Sequence, residues 1–567
     1  MKQDTGTIIG VEGQVVEVNF SGQQPAADEV VVVEEADKAR MVVYATAGEN
    51  PIRQAPSMTA GGQGGRYYCV ALERVETLTR GMTVERTNEG MKFPVGRELL
   101  GRAVNVFGEP EDGDGEMRTL ERWLTKKPAS PYDSQAIIEK VMPTGIKVLD
   151  FFVPMSWGGK MGLFGGAGVG KTMLLREMLH NLVGETGSTR STRGTPKSAG
   201  ATGQAKGMES TGSTEGDPSA AGRRTGARRT QDDHVERGRQ ADLMSLSRLS
   251  SEGSEDARVE GDRLDGQKTV SVYAGVGERS REGQELYAAL KESGALPGVA
   301  FILGEMGHNS ARRFMTAFAA VTLAEYLRDA MKKNVLFFMD NMFRFAQAGN
   351  ELSTLMNTIP SEDGYQATLE SEMASLHERL SSNADAVISS VEAIYVPSDD
   401  LLDQGVQAVF PYLDSMVILS RDVYQQGLLP AVDILRSTSS SLDPELVGEK
   451  HYETALEARR VLKEAERLSR IVSLVGEAEL APSDQLLYQR AQKLRNFMTQ
   501  RFFVSGGDGS APRLPIETLV DDVADLLKGK YDTVSAEKFL YIGTLKEIVP
   551  KAQGGSLVTA RVERASY

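Results

Sequence analysis

Residue types that are scarce in this sequence exclude several kinds of protein. The 567-residue chain has one cysteine, Cys69, so it can form no internal disulfide, as is usual in a reducing compartment. Beside Tyr67 and Tyr68, this cysteine is interpreted as a small apolar packing residue. The five histidines form no metal-spaced pair with the cysteine or with one another, which argues against a zinc site.

Long apolar runs and a surplus of positive charge are also missing. No window reaches the roughly 18 uncharged apolar residues that a helix needs to cross a bilayer. The first 20 residues lack the basic start and apolar core of a secretory signal. The formal net charge of -15 repels phosphate backbones and anionic membranes. We therefore expect no nucleic-acid partner, and we expect any membrane role to run through partner subunits.

Aromatic residues are absent from one long internal segment, residues 185–266, which is filled with Gly, Ser, Thr, Arg, Asp and Glu. Such a segment cannot bury enough apolar surface to offset its conformational entropy, so the sequence predicts a disordered insertion. Its arginine pairs, Arg223-Arg224 and Arg228-Arg229, would bind an acidic partner or belong to a solvated linker.

The remaining sequence divides into regions of different pattern, as expected for a chain too long for one core. Residues 1–90 carry short alternating strands between glycine-rich turns and predict a small β-barrel. Residues 91–435, interrupted by the insertion at 185–266, alternate apolar strand-like runs with helical stretches, which predicts an α/β domain with a parallel sheet. Residues 436–553 predict a helical bundle, followed by a tail at 554–567.

The individual elements follow from the same patterns. The predicted strands of the parallel sheet are Lys160–Phe164, Val270–Ala274, Gly298–Leu303, Asn334–Met339 and Ala386–Ala393. The predicted helices beyond residue 435 are Glu453–Ala478, Ser483–Arg501, Ile516–Leu527 and Ser535–Phe539.

A phosphate-binding loop lies between the predicted strand Met161–Phe164 and the helical run Met173–Val183. It fits the pattern G-x-x-x-x-G-K-T and consists of Gly165, Gly166, Ala167, Gly168, Val169, Gly170, Lys171 and Thr172. The glycines let successive backbone N–H groups face inward, and the following helix directs its positive end at the same point. We expect Lys171 to reach the β and γ phosphates and the Thr172 hydroxyl to join the shell of a Mg²⁺ ion.

A second apolar strand, Val335–Met339, is followed by Asp340. A carboxylate at the end of a buried strand beside the loop can hold Mg²⁺ through water. An apolar run ending in Asp is common by itself, but together with the phosphate loop it indicates a metal-binding carboxylate.

A charged pair, Glu278-Arg279, follows the strand-like run that includes Tyr273. Open parallel sheets place their ligands at this end of their strands. Glu278 is the candidate that orients the attacking water, and Arg279 offers a cation to the oxygens of the transferring phosphoryl group. The residues alone leave open that this is a surface ion pair at a strand end.

On these motifs the sequence resembles the beta subunit of F-type ATP synthases. The most discriminating stretch is Gly277–Gly283, and Ala393–Pro397 and Asp340–Phe345 also resemble that subunit more than the homohexameric secretion ATPases. The similarity extends over nearly the whole chain outside the insertion. It implies a RecA-like nucleotide-binding domain that makes or hydrolyses ATP, with ADP and phosphate as the other substrates and Mg²⁺ as cofactor.

The resemblance also implies roles for individual residues beyond those assigned above. Glu282, like Asp340, would contact Mg²⁺ through its waters. Arg344 would lie near the phosphate, with Asn341 beside it behind the ligand-contacting groups. Tyr395 would stack on the adenine, and Phe502 would be a second aromatic of the adenine pocket.

The implied partners follow the same family. An alpha-type subunit would alternate with this chain in a hexamer and supply an arginine finger in trans, which suits a chemistry of positioning and charge stabilisation. A central rotor stalk would contact the hexamer, and a membrane ion-translocating sector would be reached indirectly. The expected location is the cytoplasmic face of a membrane, as a peripheral part of that complex.

Several positions depart from the family pattern and keep two other functions open. His308 replaces a glutamate near the catalytic interface, Ser440 replaces an arginine, and Asp508 stands where an aromatic is expected, while the loop at residues 478–484 has fewer carboxylates. These changes would suit a regulatory nucleotide-binding subunit with reduced catalysis. A homohexameric protein-export ATPase is the other alternative, against which Ser440 argues because such an enzyme must carry its own finger near this position.

Overall fold

The computed structural model describes residues 5–36, 38–46, 65–117, 121–131, 136, 140–187, 269–502 and 514–548. The predicted insertion lies outside the described residues from position 188 onward, together with its arginine pairs. Asp508 and the predicted tail 554–567 are outside them as well.

The N-terminal strands form a closed barrel in the order β1-β2-β5-β4-β3-β6. Their bounds are β1 Thr5–Glu12, β2 Val15–Phe20, β3 Glu29–Val33, β4 Ala39–Thr46, β5 Gly65–Ala71 and β6 Thr83–Gly90. Cys69 is fully buried between strand partners Val16 and Val43. Burial raises the pKa of its thiol, so the residue packs as a small apolar group.

The central sheet follows the barrel and, in the described part of the chain, has eight strands in the order β18-β17-β12-β16-β15-β13-β14-β8. Their bounds are β8 Ala103–Val104, β12 Lys160–Gly165, β13 Val270–Val276, β14 Val299–Gly304, β15 Val335–Asp340, β16 Ile388–Tyr395, β17 Ser415–Ile418 and β18 Thr438–Ser439. Neighbours run parallel except β17 and β18. The predicted parallel sheet is confirmed, with one antiparallel edge strand that the sequence did not indicate.

Two short strand pairs accompany the sheet. They are β7 Lys92–Val95 with β9 Glu121–Leu124, and β10 Val141–Met142 with β11 Met155–Ser156.

Helices cover both faces of the sheet. Those up to the C-terminal region are α1 Lys147–Phe152, α2 Lys171–Gly187, α3 Ser280–Glu292, α4 Ser310–Asp329, α5 Met342–Leu355, α6 Leu369–His377, α7 Gln404–Gln407, α8 Arg421–Gln425 and α9 Pro444–Val447. Alternate residues of β13 point to opposite sides: Val272 and Ala274 join the apolar cluster of α4 and α5, whereas Tyr273 joins that of α2 and α3. Strand β13 is therefore apolar at all but one position, Ser271, because both of its faces are buried.

The register of the sheet brings the ends of three separate chain segments together. Gly165 at the end of β12 is the Cα partner of Tyr395, and Asp340 at the end of β15 pairs with Ala393 on the other side of β16. Gly275 near the end of β13 pairs with Asp340. The phosphate loop, Asp340 and the Glu278 segment consequently meet at the carboxyl edge of the sheet, where such sheets bind ligands.

The C-terminal region is helical, as predicted, with α10 Glu449–Val475, α11 Pro482–Phe497 and α12 Ile516–Leu527. Helix α10 stops three residues before its predicted end because Gly476 adopts φ 92°. Helix α11 ends at Phe497 rather than Arg501, since Gln500 bonds back to the central domain at Gly145 and Lys147. Within the described segments, no helix combines the length and apolarity needed to cross a membrane.

Candidate functional site

The phosphate loop turns sharply between β12 and α2. Gly168 and Gly170 adopt φ 75° and 93°, a left-handed conformation that glycine tolerates without a side-chain clash. Lys171 folds back over the loop and donates hydrogen bonds from Nζ to the carbonyls of Gly165 and Gly166, at 2.6 and 2.5 Å. Burial lowers the pKa of Lys171 to about 8.

Carboxylates face this loop from β15 and from the segment after β13. The Thr172 hydroxyl donates to Asp340 Oδ2 at 3.4 Å. Burial raises the pKa of Asp340, and burial together with the charges of Asp340 and Glu282 raises the pKa of Glu278. A cation bound beside Asp340 and Glu278 would favour the charged form of both carboxylates.

This donor set fits magnesium bound together with a nucleotide. Within the described ranges, no cluster of three or more His, Cys, Asp or Glu side chains forms an all-protein metal cage. Magnesium prefers oxygen ligands and is usually held by one or two carboxylates plus substrate phosphates. The Thr172 hydroxyl and the Asp340 carboxylate supply that chemistry, with Glu282 on the first turn of α3 beside them.

Two arginines flank the carboxylates. Arg279 has a side chain that is 73% exposed, and its Nη1 lies 3.9 Å from Glu282 Oε1. Arg344 on α5 donates to Gln347 at 2.7 Å and packs close to Gly277. A Cβ at Gly277 would lie 2.9 Å from Cβ of Arg344, and φ there is 67°, so glycine is required at this turn.

Asn341 and Tyr395 form the wall opposite α3. The Asn341 side-chain oxygen accepts from the backbone N–H of Phe343 at 3.0 Å and of Tyr395 at 3.1 Å. Asn341 thus caps α5 and fixes the end of β16. The Tyr395 ring lies 5.5 Å from Lys171 Nζ and 5.8 Å from Arg344 Cζ, so it sits at the cationic side of the cleft.

Phe502 is 4% exposed and belongs to the same apolar cluster as Leu494 and Leu519 of the C-terminal helices. Among the described residues, the aromatic side chains that line the cleft are Tyr395 and Tyr424. The expected place of Phe502 in an adenine pocket stays a prediction.

The cleft has a volume of about 480 Å³ and also contains residues that the sequence reasoning missed. They are Arg176, Glu285, Met306 and Tyr424. Helical spacing could have found two of them, because Arg176 lies four residues after Thr172 and Glu285 three after Glu282. Met306 and Tyr424 are brought in by loop and chain packing that no local pattern indicates.

Asp399-Asp400 is interpreted from sequence as turn or surface charge, and this is confirmed: Asp399 ends the 3₁₀ turn Pro397–Asp399 and its side chain is 48% exposed. Asp400 is a turn residue that accepts from the N–H of Leu402 at 2.9 Å. Asp399 instead accepts from Arg421 Nε at 3.1 Å and lies against the phosphate loop. A Cβ at Gly166 would come within 2.1 Å of Asp399 Oδ1, so this approach depends on glycine.

The positions that depart from the resembled family have ordinary local partners. His308 Nδ1 accepts from the N–H of Glu305 at 3.1 Å, and burial with the charge of Arg312 lowers its pKa, which favours the neutral ring. Ser440 donates to the carbonyl of Asp414 at 3.1 Å. The loop at 478–484 begins in a short 3₁₀ turn, Glu477–Glu479, and leads into α11.

The strand and cleft residues after the insertion lie within a recognised family region. Residues 251–439 match the ATP synthase alpha/beta family, nucleotide-binding domain. The matched region contains Glu278, Asp340 and Tyr395, whereas the phosphate loop precedes it.

Residues 440–513 match the C-terminal domain of V and A type ATP synthase. The two matches adjoin along the chain, and the ATP synthase alpha/beta nucleotide-binding domain is thus followed directly by an ATP synthase C-terminal domain. The expected fold, with a barrel, a nucleotide-binding sheet and C-terminal helices, agrees with this family.

Proposed function

We propose that this chain is the catalytic beta-type subunit of a rotary F-type ATP synthase. It would make ATP from ADP and phosphate, or hydrolyse ATP, while other subunits move ions across a membrane. One observation carries the proposal: the loop Gly165–Thr172 faces Asp340 and Glu278 across one cleft at the carboxyl edge of the sheet.

Each polar group of the cleft has a role in this chemistry. The loop amides and Lys171 hold the phosphates, and Thr172 with Asp340 and Glu282 would hold Mg²⁺. Bound magnesium would neutralise charge on the phosphate oxygens. Glu278 would orient the attacking water, because its half-buried carboxylate lines the cleft with the loop and its raised pKa suits proton exchange near neutral pH.

The two ends of the nucleotide would be bound by different residues. Arg279 and Arg344 are suited to the γ phosphate or to free phosphate, since both line the cleft as cations. Tyr395 offers a ring face for the adenine. Phe502, buried among the C-terminal helices, is proposed as the second aromatic of the adenine pocket.

The cleft would be completed by neighbours in an alternating hexamer. An alpha-type subunit is proposed to supply an arginine finger, and the central rotor stalk and membrane sector would couple turnover to ion movement. The family match supports assembly with other subunits. The location proposed for this assembly is the cytoplasmic face of a membrane.

A V/A-type catalytic subunit is a second candidate, favoured by the match of residues 440–513 to a V and A type C-terminal domain. The run Gly277–Gly283 favours the F-type assignment. The two differ in the non-catalytic partner that should restore activity.

Reconstitution tests both candidates. The chain alone should bind MgADP and hydrolyse MgATP slowly, and an F-type alpha subunit should raise the hydrolysis rate strongly. Activation by the V/A-type partner only would favour the second candidate. No MgADP binding with either partner, by calorimetric titration, would remove both.

A further inference from the structure

Arg176 connects the two helices that carry the phosphate-binding and carboxylate groups of the cleft. It lies on α2, one helical turn beyond Thr172, and its side chain crosses to α3. Its Nη2 donates to the backbone carbonyl of Glu282 at 2.5 Å, and its Nη1 lies 3.7 Å from Glu285 Oε2. The side chain is 16% exposed.

The first turn of α3 is held on two sides. On one side, the Met306 N–H donates to the Glu278 carbonyl just before the helix, at 3.0 Å. Glu285 is held from the solvent side by Arg281, at 2.7 Å, and from the cleft side by Arg176. Arg176 is therefore the polar side chain that joins this turn to the phosphate-loop helix.

The carboxylates of the cleft give the contact between Arg176 and α3 a second role. Four carboxylates line the cleft: Glu278, Glu282, Glu285 and Asp340. Like charges repel more strongly when they are partly buried, so removing Arg176 would leave these four carboxylates with one fewer neighbouring cation. Arg176 supplies positive charge on the face between α2 and α3, where displacement of α3 would carry Glu278 and Glu282 with it.

We propose that Arg176 is a positioning residue for the reaction. Its two-armed contact sets the distance between the phosphate-loop helix and the first turn of α3, and so places Glu278 relative to the reacting phosphate and Glu282 relative to the magnesium shell. A fork-shaped guanidinium is suited to this task because it can bond the Glu282 carbonyl and the Glu285 carboxylate at once. The proposal rests on the proposed function of the cleft.

The test compares Arg176→Met with Arg460→Met in the full chain assembled with its partner. Arg460 is a matched control because it is an arginine in an exposed helical ion pair with Glu457, far along the sequence in α10. For Arg176→Met we expect kcat to fall by about 10- to 100-fold, as when outer-shell partners of a metal site are removed. The KM for MgATP should change by less than about threefold, because the loop contacts remain.

Hydrogen–deuterium exchange gives a readout that does not depend on turnover. Residues 278–286 should exchange faster in Arg176→Met than in wild type, and Arg460→Met should leave that segment unchanged. Arg176→Lys keeps one donor for the Glu282 carbonyl and should recover part of the loss in both measurements. Unchanged kcat and unchanged exchange in Arg176→Met would overturn the proposal, and so would a raised KM with normal kcat, which would indicate direct nucleotide contact.

If Arg176→Met does not fold, Glu285→Gln removes the ionic arm together with the exposed Arg281 pair, and Arg281→Met, which removes that exposed pair alone, is its control. A loss of kcat with faster exchange at 278–286 in Glu285→Gln but not in Arg281→Met then supports the proposal, and wild-type values in Glu285→Gln overturn it. If wild-type protein itself fails to turn over MgATP with its partner, the proposed function fails, and the exchange of Arg176→Met still decides whether this arginine anchors α3.

Discussion

Two groups of buried charges in this molecule differ in how well they are paired. In the first, Arg379 and Glu325 are each about 1% exposed and join through bonds of 2.6 and 3.1 Å. Arg379 also donates to the Thr125 carbonyl and the Thr322 hydroxyl, at 2.6 and 2.9 Å. In the cleft, Glu278 and Asp340 lie close enough for the charge of Asp340 to raise the pKa of Glu278. Neither carboxylate has an ion pair comparable to that of Glu325 among the described residues.

The difference separates structural charges from functional ones. A buried ion pair with its hydrogen bonds satisfied leaves nothing for a ligand to improve. Glu278 and Asp340, whose pKa values are raised, cost stability when they are charged in the unliganded chain, and a bound cation with its nucleotide would remove that cost. Four predictions test this contrast.

The largest expected effect is on catalysis. Glu278→Gln keeps the shape of the side chain but cannot orient water as a base, so turnover should fall by about 10²- to 10⁴-fold. MgADP affinity should stay near the wild-type value, and the melting temperature at pH 8 should be equal or higher because one repelling carboxylate is gone. Steady-state kinetics, titration and thermal melting measure the three quantities.

Glu457→Gln, an exposed change on α10, serves as its control and should alter none of them. Normal turnover in Glu278→Gln would remove the water-orienting role from this residue. A lower melting temperature would show that the cleft carboxylate is paired after all.

In the paired group, removal of one charged side chain should instead lower the stability of the fold. Among the described residues, Arg379→Met leaves the buried Glu325 with Lys127, at 3.1 Å, as its remaining cation. It also removes the Arg379 donor from the Thr125 carbonyl, which keeps the Thr322 hydroxyl at 3.3 Å. We expect a loss of about 3 kcal/mol in the free energy of unfolding. Denaturant unfolding checks this value, with Arg460→Met as the exposed counterpart, for which no measurable loss is expected. If the denaturant midpoint of Arg379→Met equals that of wild type, the buried ion pair does not differ in stability from the cleft charges.

The phosphate loop should be sensitive to one methyl group. Gly166→Ala would place Cβ 2.1 Å from Asp399 Oδ1 and 2.9 Å from Arg421 Nη2, so the pair or the loop must shift. We expect MgADP affinity to fall by about tenfold, equivalent to about 1.4 kcal/mol. Gly307→Ala, where the added Cβ meets nothing within 4 Å, should bind normally. Equal affinity in both variants would mean that the Asp399–Arg421 pair moves aside freely.

The smallest effect concerns pH. The folded state raises the pKa of Glu278 above its ordinary 4.5, so its proton is bound more tightly in the folded chain than in the unfolded one. The corresponding stability is fully present below pH 4.5 and is lost as pH rises through the raised pKa. The nucleotide-free wild type should therefore lose more melting temperature between pH 6 and pH 8.5 than Glu278→Gln does. If the melting temperatures of the two proteins fall equally between pH 6 and pH 8.5, the Glu278 carboxylate is not unpaired.

The sequence predicted those features that depend on local pattern. Helix α12 has the predicted bounds, Ile516–Leu527, because its apolar spacing and flanking turns agree. The phosphate loop and Asp340 were recognised because each follows an apolar strand directly. These features needed no knowledge of how distant segments meet.

Features that depend on contacts between residues far apart in the sequence could not be predicted in this way. The pair formed by Asp399 and Arg421 lies against Gly166 only because β16 and β17 flank β12. The burial of Phe502 depends on packing among three C-terminal helices. The edge strand Thr438–Ser439 has two residues, too few for an alternating pattern to appear.

The hydrogen bonds of Lys171 have a consequence for ligand entry. Two of the three N–H donors of the ammonium are taken by the carbonyls of Gly165 and Gly166, so a phosphate that accepts more than one of its hydrogen bonds must displace the protein's own backbone. The binding free energy of the nucleotide is reduced by each bond that is given up. Release is assisted by the same exchange, because the backbone oxygens are in place to recapture the ammonium as the product leaves.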